Sequence, residues 1–370
     1  SVKGSAQVSR DDIDAIVVGA GPAGAIASRE LARLGRRVVL LEAKRLPRPK
    51  TCAGGISPWA RTGLERLGLW DRVAAEAYEV RGIRLGAPSG SETLWQGAAS
   101  AVVLERGRFD HILARSAVEA GAEIREGCKA EGLLVEDGRT AGVLLAGGDV
   151  LEARWVIAAT GANGRLDTDP RPRRVLLTCM ARFEWIEFTP HVLEMYFDAD
   201  LAPHYGWLYP ESDTLANVGI CFEADRSPRR SVRDVFARFL DRHFASRCGS
   251  ARAIGPWRGF PISVTGRIRH HAQPGTLLAG EACRLANPAT GEGISYAIHS
   301  GALAARMVDE ALSLRSDPAT VASSYERRLR LRSGPSLLAG DMFLRLGMPL
   351  LECAVRSGGI PWLRRRLGQR

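Results

Sequence analysis

The sequence predicts an α/β fold in which a parallel-sheet domain is interrupted by an antiparallel-sheet domain and followed by a helical C-terminal extension. Three observations carry this. A buried strand, a glycine turn, a helix and a second buried strand follow one another over residues 13–42, the opening of a βαβ unit. Short apolar runs of the same type return at Val156-Ile157-Ala158-Ala159 and Thr276-Leu277-Leu278-Ala279-Gly280. Between them, from about 173 to 223, the pattern changes to longer strands in which aromatic and polar residues alternate.

Taken in order, Ile13–Val18 reads as a parallel strand running into Gly19, and residues 22–35 as a helix with small residues on its packing side and Gly35 as its stop. Val38–Leu41 is the second strand and ends at Glu42. Pro47, Pro49, Gly54, Gly55 and Pro58 make the next stretch too rich in turn formers for regular structure, and loops of that length are often functional. An amphipathic helix covers 108–120. Val175–Trp185, Val192–Asp198, Tyr205–Tyr209 and Leu215–Phe222 form the antiparallel sheet, a helix follows near 231–244, and residues 291–313 make a long helix rich in Ala and Gly. The implied division is 1–75, 101–170 and 260–315 for the first domain, 76–100 and 171–259 for the second, and 316–370 for the extension. No repeat of 20–50 residues is visible.

Composition limits the function classes. The 370 residues are 45% hydrophobic and 25% charged, which argues against disorder and fibrous structure. Lys and Arg exceed Asp and Glu by 51 to 41, a net charge of +10, yet only Lys3, Lys44, Lys50 and Lys129 are lysines and the arginines are spread along the chain. A biased base composition explains such a spread as well as an anionic partner does, and no nucleic-acid ligand is expected. The seven cysteines (Cys52, Cys128, Cys179, Cys221, Cys248, Cys283, Cys353) form no CxxC pair and no Cys/His cluster at zinc spacing, so no metal is expected and reduced thiols in a cytoplasmic protein are. No stretch approaches the length of a membrane span and no secretion signal is seen at the N-terminus. The last forty residues carry Leu, Met and Trp on one side and Arg on the other, ending in Trp362-Leu363-Arg364-Arg365-Arg366. They read either as a packed terminal helix or as a peripheral membrane contact.

Gly19-Ala20-Gly21-Pro22-Ala23-Gly24 is a GxGxxG turn between strand and helix, with Glu42 and Ala43 at the end of the next strand. The first glycine permits the turn, the second lets backbone amides approach a pyrophosphate, the third allows close helix packing, and Glu42 is placed for ribose hydroxyls. Three further segments select FAD over NAD. Arg106-Gly107-Arg108-Phe109-Asp110 opens a helix and offers a guanidinium to a second phosphate or a ribose. Thr160 and Gly161 follow a strand, as the backbone turn beside an adenine does. Gly280-Glu281 ends another strand, and Asn287-Pro288-Ala289-Thr290-Gly291-Glu292-Gly293-Ile294 leads into a helix whose amides favour negative charge at a reduced flavin. These readings give a Rossmann-like FAD-binding domain interrupted by an antiparallel-sheet substrate domain.

Together the segments resemble the FAD-dependent group of para-hydroxybenzoate hydroxylase-like monooxygenases, flavin-dependent halogenases and geranylgeranyl reductases, over about residues 13–313. Pro49-Lys50-Thr51-Cys52-Ala53-Gly54-Gly55-Ile56 and Tyr205-Gly206-Trp207-Leu208-Tyr209-Pro210, followed by Ala216-Asn217-Val218-Gly219, look most like the geranylgeranyl reductase family. That resemblance implies reduction of C=C bonds in an isoprenoid or similar apolar substrate, with FAD as hydride carrier. The family more often has Asp at the position of Glu281, which implies a longer or water-mediated cofactor contact here. Halogenases carry Trp-x-Trp-x-Ile-Pro, and Gly206–Pro210 lacks the second Trp and the Ile. An oxygen-using monooxygenase or halogenase acting on an aromatic or polyketide metabolite stays as the alternative, and a non-catalytic flavoprotein as a third class.

Tyr205, Trp207 and Tyr209 share one strand face, as a pocket wall opposite a flavin or as a core face. Cys52, with Gly54 and Gly55 letting backbone approach a ligand, reads as a proton donor, as a thiolate that gates flavin reduction, or as a packing residue. Arg48 and Lys50 place positive charge beside that loop, for FAD phosphate or an anionic head group. Glu292 reads as a helix cap, and His204, His270, His271 and His299 as packing residues. With no second GxGxxG, the electron donor is expected to bind transiently, as NAD(P)H or a ferredoxin-type protein.

Overall fold

A computed structural model describes residues 12–162, 164, 166, 173–224, 231–268 and 272–356, without the side chains of 99, 100, 346 and 348–356. His270, His271 and the Trp362–Arg366 tip therefore lie outside the described residues, as does the side chain of Cys353. The six-stranded sheet runs in the order Ala272–Gln273, Thr276–Leu278, Trp155–Ala158, Ala15–Val18, Val38–Glu42, Glu123–Glu126. Every neighbouring pair is parallel except the first. Each residue of Ala15–Val18 and Val38–Glu42 is buried, the mark of strands covered on both faces.

Helix α1 (Pro22–Arg33) starts with Pro at its first position and Gly21 as N-cap, where a fixed φ and a missing N–H cost nothing. It ends as the sequence predicts. Gly35 takes φ +78°, and its amide and that of Arg36 bond back to Ala32 and Leu31. Then come α2 (Pro58–Arg66), α3 (Trp70–Ala74), α4 (Arg106–Glu119), α5 (Val232–Phe244), α6 (Ile294–Leu314) and α7 (Pro318–Arg356). Helices α1 and α6 cross closely because glycine faces backbone there: a Cβ on Gly301 would lie 2.2 Å from the Ala23 carbonyl oxygen. Gly301→Ala is expected to cost about 2–3 kcal/mol of stability through overpacking. It should show as a lower urea midpoint at unchanged m-value, and an unshifted midpoint would refute the tight crossing.

The second sheet has nine strands, in the order Arg252–Arg258, Arg174–Glu184, Leu215–Glu223, Gly206–Pro210, Val192–Tyr196, Tyr78–Gly86, Glu92–Val103, Gly55–Ile56, with Ile262–Val264 also pairing Arg174–Leu176. It corrects two expectations. The sheet is mixed, since Val192–Tyr196 runs parallel to Tyr78–Gly86. The Pro- and Gly-rich segment is not wholly irregular either, because Gly55 and Ile56 pair with Val103 and Val102 and so tie the loop to the sheet. Ala130–Glu136, Arg139–Leu145 and Val150–Glu152 form a small antiparallel sheet that composition and periodicity did not suggest. The C-terminal extension is helical as expected, one helix from Pro318 through Arg356. Among the described residues no helix is long and apolar enough to cross a membrane.

Candidate active site

The three glycines of the first turn have different reasons to be glycine. Gly19 sits at φ +101°, and a Cβ there would be 2.5 Å from the Ala159 carbonyl oxygen; a Cβ on Gly24 would be 1.9 Å from the Gly19 oxygen. The protein's own packing dictates both. Gly21 differs. Its φ of −77° is open to any residue, and among the described residues the only atom within 4 Å of where a Cβ would stand is Arg48 Nη2, at 4.0 Å. None of those residues requires a bare backbone at Gly21, whereas an approaching pyrophosphate does. Pro22 and Ala23 are buried behind this turn, and Gly280 packs on Ala23.

Glu42 is 5% exposed and largely engaged. It accepts from the amides of Ala20 and Lys44, both at 3.1 Å, and from Arg48 Nε at 3.1 Å. A carboxylate offers about four acceptor positions, so one stays open for a ribose hydroxyl. Ala43, exposed, offers only backbone beyond it. Arg48 also bonds fully buried Asp110 at 2.9 Å.

The Arg106 guanidinium shares buried Asp110 with Arg48. It binds Asp110 through Nε at 2.8 Å and Nη2 at 3.1 Å and stands near enough to the Cys52 thiol to interact with it electrostatically. The Arg106–Asp110 spacing of four on a helix is a standard pairing distance, which is the sequence signal for this arrangement. The arginine beside Gly21 is Arg48.

Around Cys52 the loop is held on all sides. Gly54 takes φ +77°, a Cβ there would be 2.5 Å from the Leu104 oxygen, and its carbonyl accepts from the Leu104 amide at 3.0 Å. The Gly54 amide faces Cys52 Sγ at 3.4 Å. Lys50 Nζ lies 3.2 Å from the centroid of the Phe260 ring. Burial pulls the Lys50 ammonium down to about 8, against the opposing effect of Glu281, and burial pushes the Glu281 carboxyl up, against the opposing effect of Lys50. Glu281 accepts from the Ser263 amide at 3.0 Å. Lys50, Cys52, Arg106 and Glu281, all half-buried, thus form one charged neighbourhood.

Tyr205, Trp207 and Tyr209 do share a face, with successive ring centroids 6.3 Å apart. They join Ala53, Leu85, Met180, Phe197 and Phe343 in one apolar cluster. Trp207 is the core member: it is buried, donates from Nε1 to Asn217 at 3.0 Å, and occupies space that only glycine at 219 leaves. Tyr209 is half-buried, and its ring lies 3.0 Å from where a Cβ on Gly55 would be. Tyr205 donates its hydroxyl to the Thr290 carbonyl. The aromatic strand is therefore pinned to both the Cys52 loop and the 287–293 segment.

That segment is built as a helix entrance. Asn287 Oδ1 accepts from the amides of Ala289 and Thr290, Gly291 takes φ +64°, and Gly293 is the N-cap of α6 with Ile294 buried behind it. Pro288 follows Asn287 in the same turn. Glu292 caps the helix as expected, accepting from the Ser295 amide at 2.8 Å and hydroxyl at 2.6 Å. Thr160 and Gly161, the latter at φ +73°, close the turn beside Gly19.

His299 packs between Trp59, Gly63 and Arg332. Burial, then Arg332 and Arg66, lower its pKa from 6.5 to about 4. The unfolded chain therefore binds this proton first as pH falls, so stability is full above about 6.5 and is lost progressively between there and about 4. His299→Gln should flatten that part of a urea-midpoint profile, and an unchanged profile would remove this assignment.

Residues 12–333 match the family described as FAD binding domain. Digeranylgeranylglycerophospholipid reductase 2 of Methanopyrus kandleri is 32% identical over 329 residues, covering 86% of this chain and 82% of that protein. This chain belongs to the geranylgeranyl reductase family of FAD-dependent oxidoreductases. A geranylgeranyl bacteriochlorophyll reductase-like protein of Thermoplasma acidophilum superposes with a TM-score of 0.83 at 26% identity, over 93% of this chain and 90% of that one. A flavin-dependent brominase shares the fold alone, at 20% identity and a TM-score of 0.79 over 96% and 92% of the two chains. As a member of this reductase family the protein is an oxidoreductase with FAD as its cofactor. The residues that fit FAD are the amides of the Gly19–Gly24 turn, Glu42, Arg48 and the N-terminus of α6. Bound and reduced, FAD supplies the hydride.

Proposed function

We propose that this reductase saturates carbon–carbon double bonds of a prenyl chain carried by a lipid, within the chemistry of its geranylgeranyl-type relatives. The observation that carries the proposal is the pinning of the aromatic strand. Tyr209 rests on Gly55 of the Cys52 loop while Tyr205 bonds Thr290 of the α6 entrance, which sets the aromatic strand beside both the thiol-bearing loop and that entrance. Aromatic faces suit a polyene by area and polarisability. Cys52 is assigned the role of proton donor to the alkene carbon left after hydride addition, oriented by Arg106, and Tyr209 and Trp207 hold the chain. Glu281 and Lys50, half-buried groups that act on each other electrostatically, keep the cofactor side of the site polar.

The reductant is NAD(P)H or a ferredoxin-type donor that docks transiently, and the lipid substrate arrives from a membrane surface met by the C-terminal segment. The test is anaerobic: enzyme reduced with dithionite is mixed with a geranylgeranyl lipid and followed at the flavin absorbance. Reoxidation on substrate addition is expected. A flavin that stays reduced under these conditions, but reoxidises with substrate-dependent oxygen uptake in air, would move the protein to oxygen-using chemistry.

A further inference from the structure

Helix α7 has two unlike sides. On the inner side Gly340 abuts Asn287, Ser336 bonds both Asn287 and Tyr296, and Phe343 joins the aromatic cluster of Trp207 and Tyr209. The outer side carries Leu331, Pro335, Leu338 and Met342, whose spacings of four, three and four put them on one helix face. Leu331 is 74% exposed, Met342 51% and Leu338 42%, a row of apolar side chains in water.

Arginines border this row. Arg327, Arg328, Arg332 and Arg345 are exposed on the same helix, and Arg66 of α2 and Arg306 of α6 stand close enough to act on the Arg332 guanidinium. Three carboxylates pair with arginines here: Glu310 faces Arg328 at 3.2 Å, Glu326 faces Arg330 at 2.9 Å and Asp341 faces Arg345 at 3.0 Å, which leaves Arg327 and Arg332 without a carboxylate at ion-pair distance among the described residues. An apolar stripe edged by cations is complementary to a surface that is apolar below and anionic above, which is the interface of an anionic bilayer.

We propose that the outer face of α7, with Arg66 and Arg306 beside it, is a docking surface for anionic membranes. Leu331, Leu338 and Met342 enter the acyl boundary and the arginines bind lipid phosphates. Since the opposite side of the same helix contributes Phe343 to the aromatic wall, docking sets that wall next to the membrane. The biological sense of this rests on the proposed lipid substrate, whereas vesicle binding does not.

The experiment floats the full-length FAD-loaded enzyme with vesicles of phosphatidylcholine alone and of phosphatidylcholine mixed with phosphatidylglycerol. Binding to the mixed vesicles only, weakened by salt, is the expected result. The Leu331→Asp, Leu338→Asp double variant should bind at least about ten-fold more weakly. Arg327→Gln with Arg328→Gln should weaken binding on the order of 25-fold, about five-fold for each charge near an anionic surface. Both variants should keep their FAD and their turnover of a detergent-dispersed prenyl alcohol, since none of these residues touches the active site.

Wild-type protein that fails to float, or floats equally with both vesicles, would overturn the proposal. So would variants that float like wild type. A wild-type dimer in light scattering that becomes a monomer in the leucine variant would assign the face to a second copy instead. If vesicles bind but no prenyl substrate is reduced, the surface stands and the proposed reaction falls.

Discussion

Gly21→Val is expected to give a folded protein without flavin. The backbone at Gly21 is extended, at φ −77° and ψ −177°, so a β-branched residue adopts it without strain. The space around its Cβ is clear of described protein atoms except for the end of the Arg48 side chain. A Cβ there meets no described backbone, whereas a pyrophosphate approaching the amides of the turn loses its van der Waals room. FAD affinity should fall at least about 100-fold, about 2.7 kcal/mol, while the urea midpoint of the apoprotein stays within error of wild-type apoprotein. Purified variant should be colourless and should not regain the blue-light absorbance of a flavin when incubated with FAD. Gly24→Val provides the contrast, because its Cβ meets the Gly19 carbonyl at 1.9 Å and the chain itself should fail to fold. A yellow Gly21→Val protein would place the phosphates elsewhere.

Cys52→Ala separates cofactor binding from chemistry. The thiol lies against the Arg106 guanidinium and the Gly54 amide, and its loop is held by Leu104 and by the pairing of Gly55–Ile56 with Val102–Val103. Removing one sulfur leaves those restraints in place. The variant should retain full FAD and near wild-type stability and reduce prenyl double bonds about 100-fold more slowly, the lower end of what a positioned general acid contributes. Cys52→Ser, which keeps a proton at that atom, should recover part of the loss. Equal rates for wild type and Cys52→Ala would remove the thiol from the reaction and leave a pocket water as the donor.

Much of the fold was legible because its signals are local. A buried apolar strand ending in Gly19 with Pro22 behind it admits few other readings, and Gly35 marked the end of α1 through its positive φ. Periodicity of two along Tyr205–Tyr209 correctly put three rings on one face. What it could not say was which ring is core, since that depends on Gly219 opening space for Trp207 from a neighbouring strand. The same limit explains the arginines. Arg48 and Arg106 are far apart in sequence yet share the one carboxylate of Asp110, and only the fold shows that Arg48 also reaches Gly21. The parallel pairing of Val192–Tyr196 with Tyr78–Gly86 was likewise invisible, because alternation is identical in parallel and antiparallel strands with one polar face.

The central claim is that the cofactor-bearing turn, the Cys52 loop and the aromatic strand form one pocket in which a prenyl double bond gains hydrogen. Mass spectrometry of the product from an anaerobic reaction with a geranylgeranyl lipid tests it most directly. A gain of about 2 daltons per double bond in ordinary water, as addition of a hydride and a proton requires, is the predicted result. A gain of about 16 daltons that appears only in air, as oxygen insertion requires, or substrate recovered unchanged from fully reduced enzyme, would contradict it.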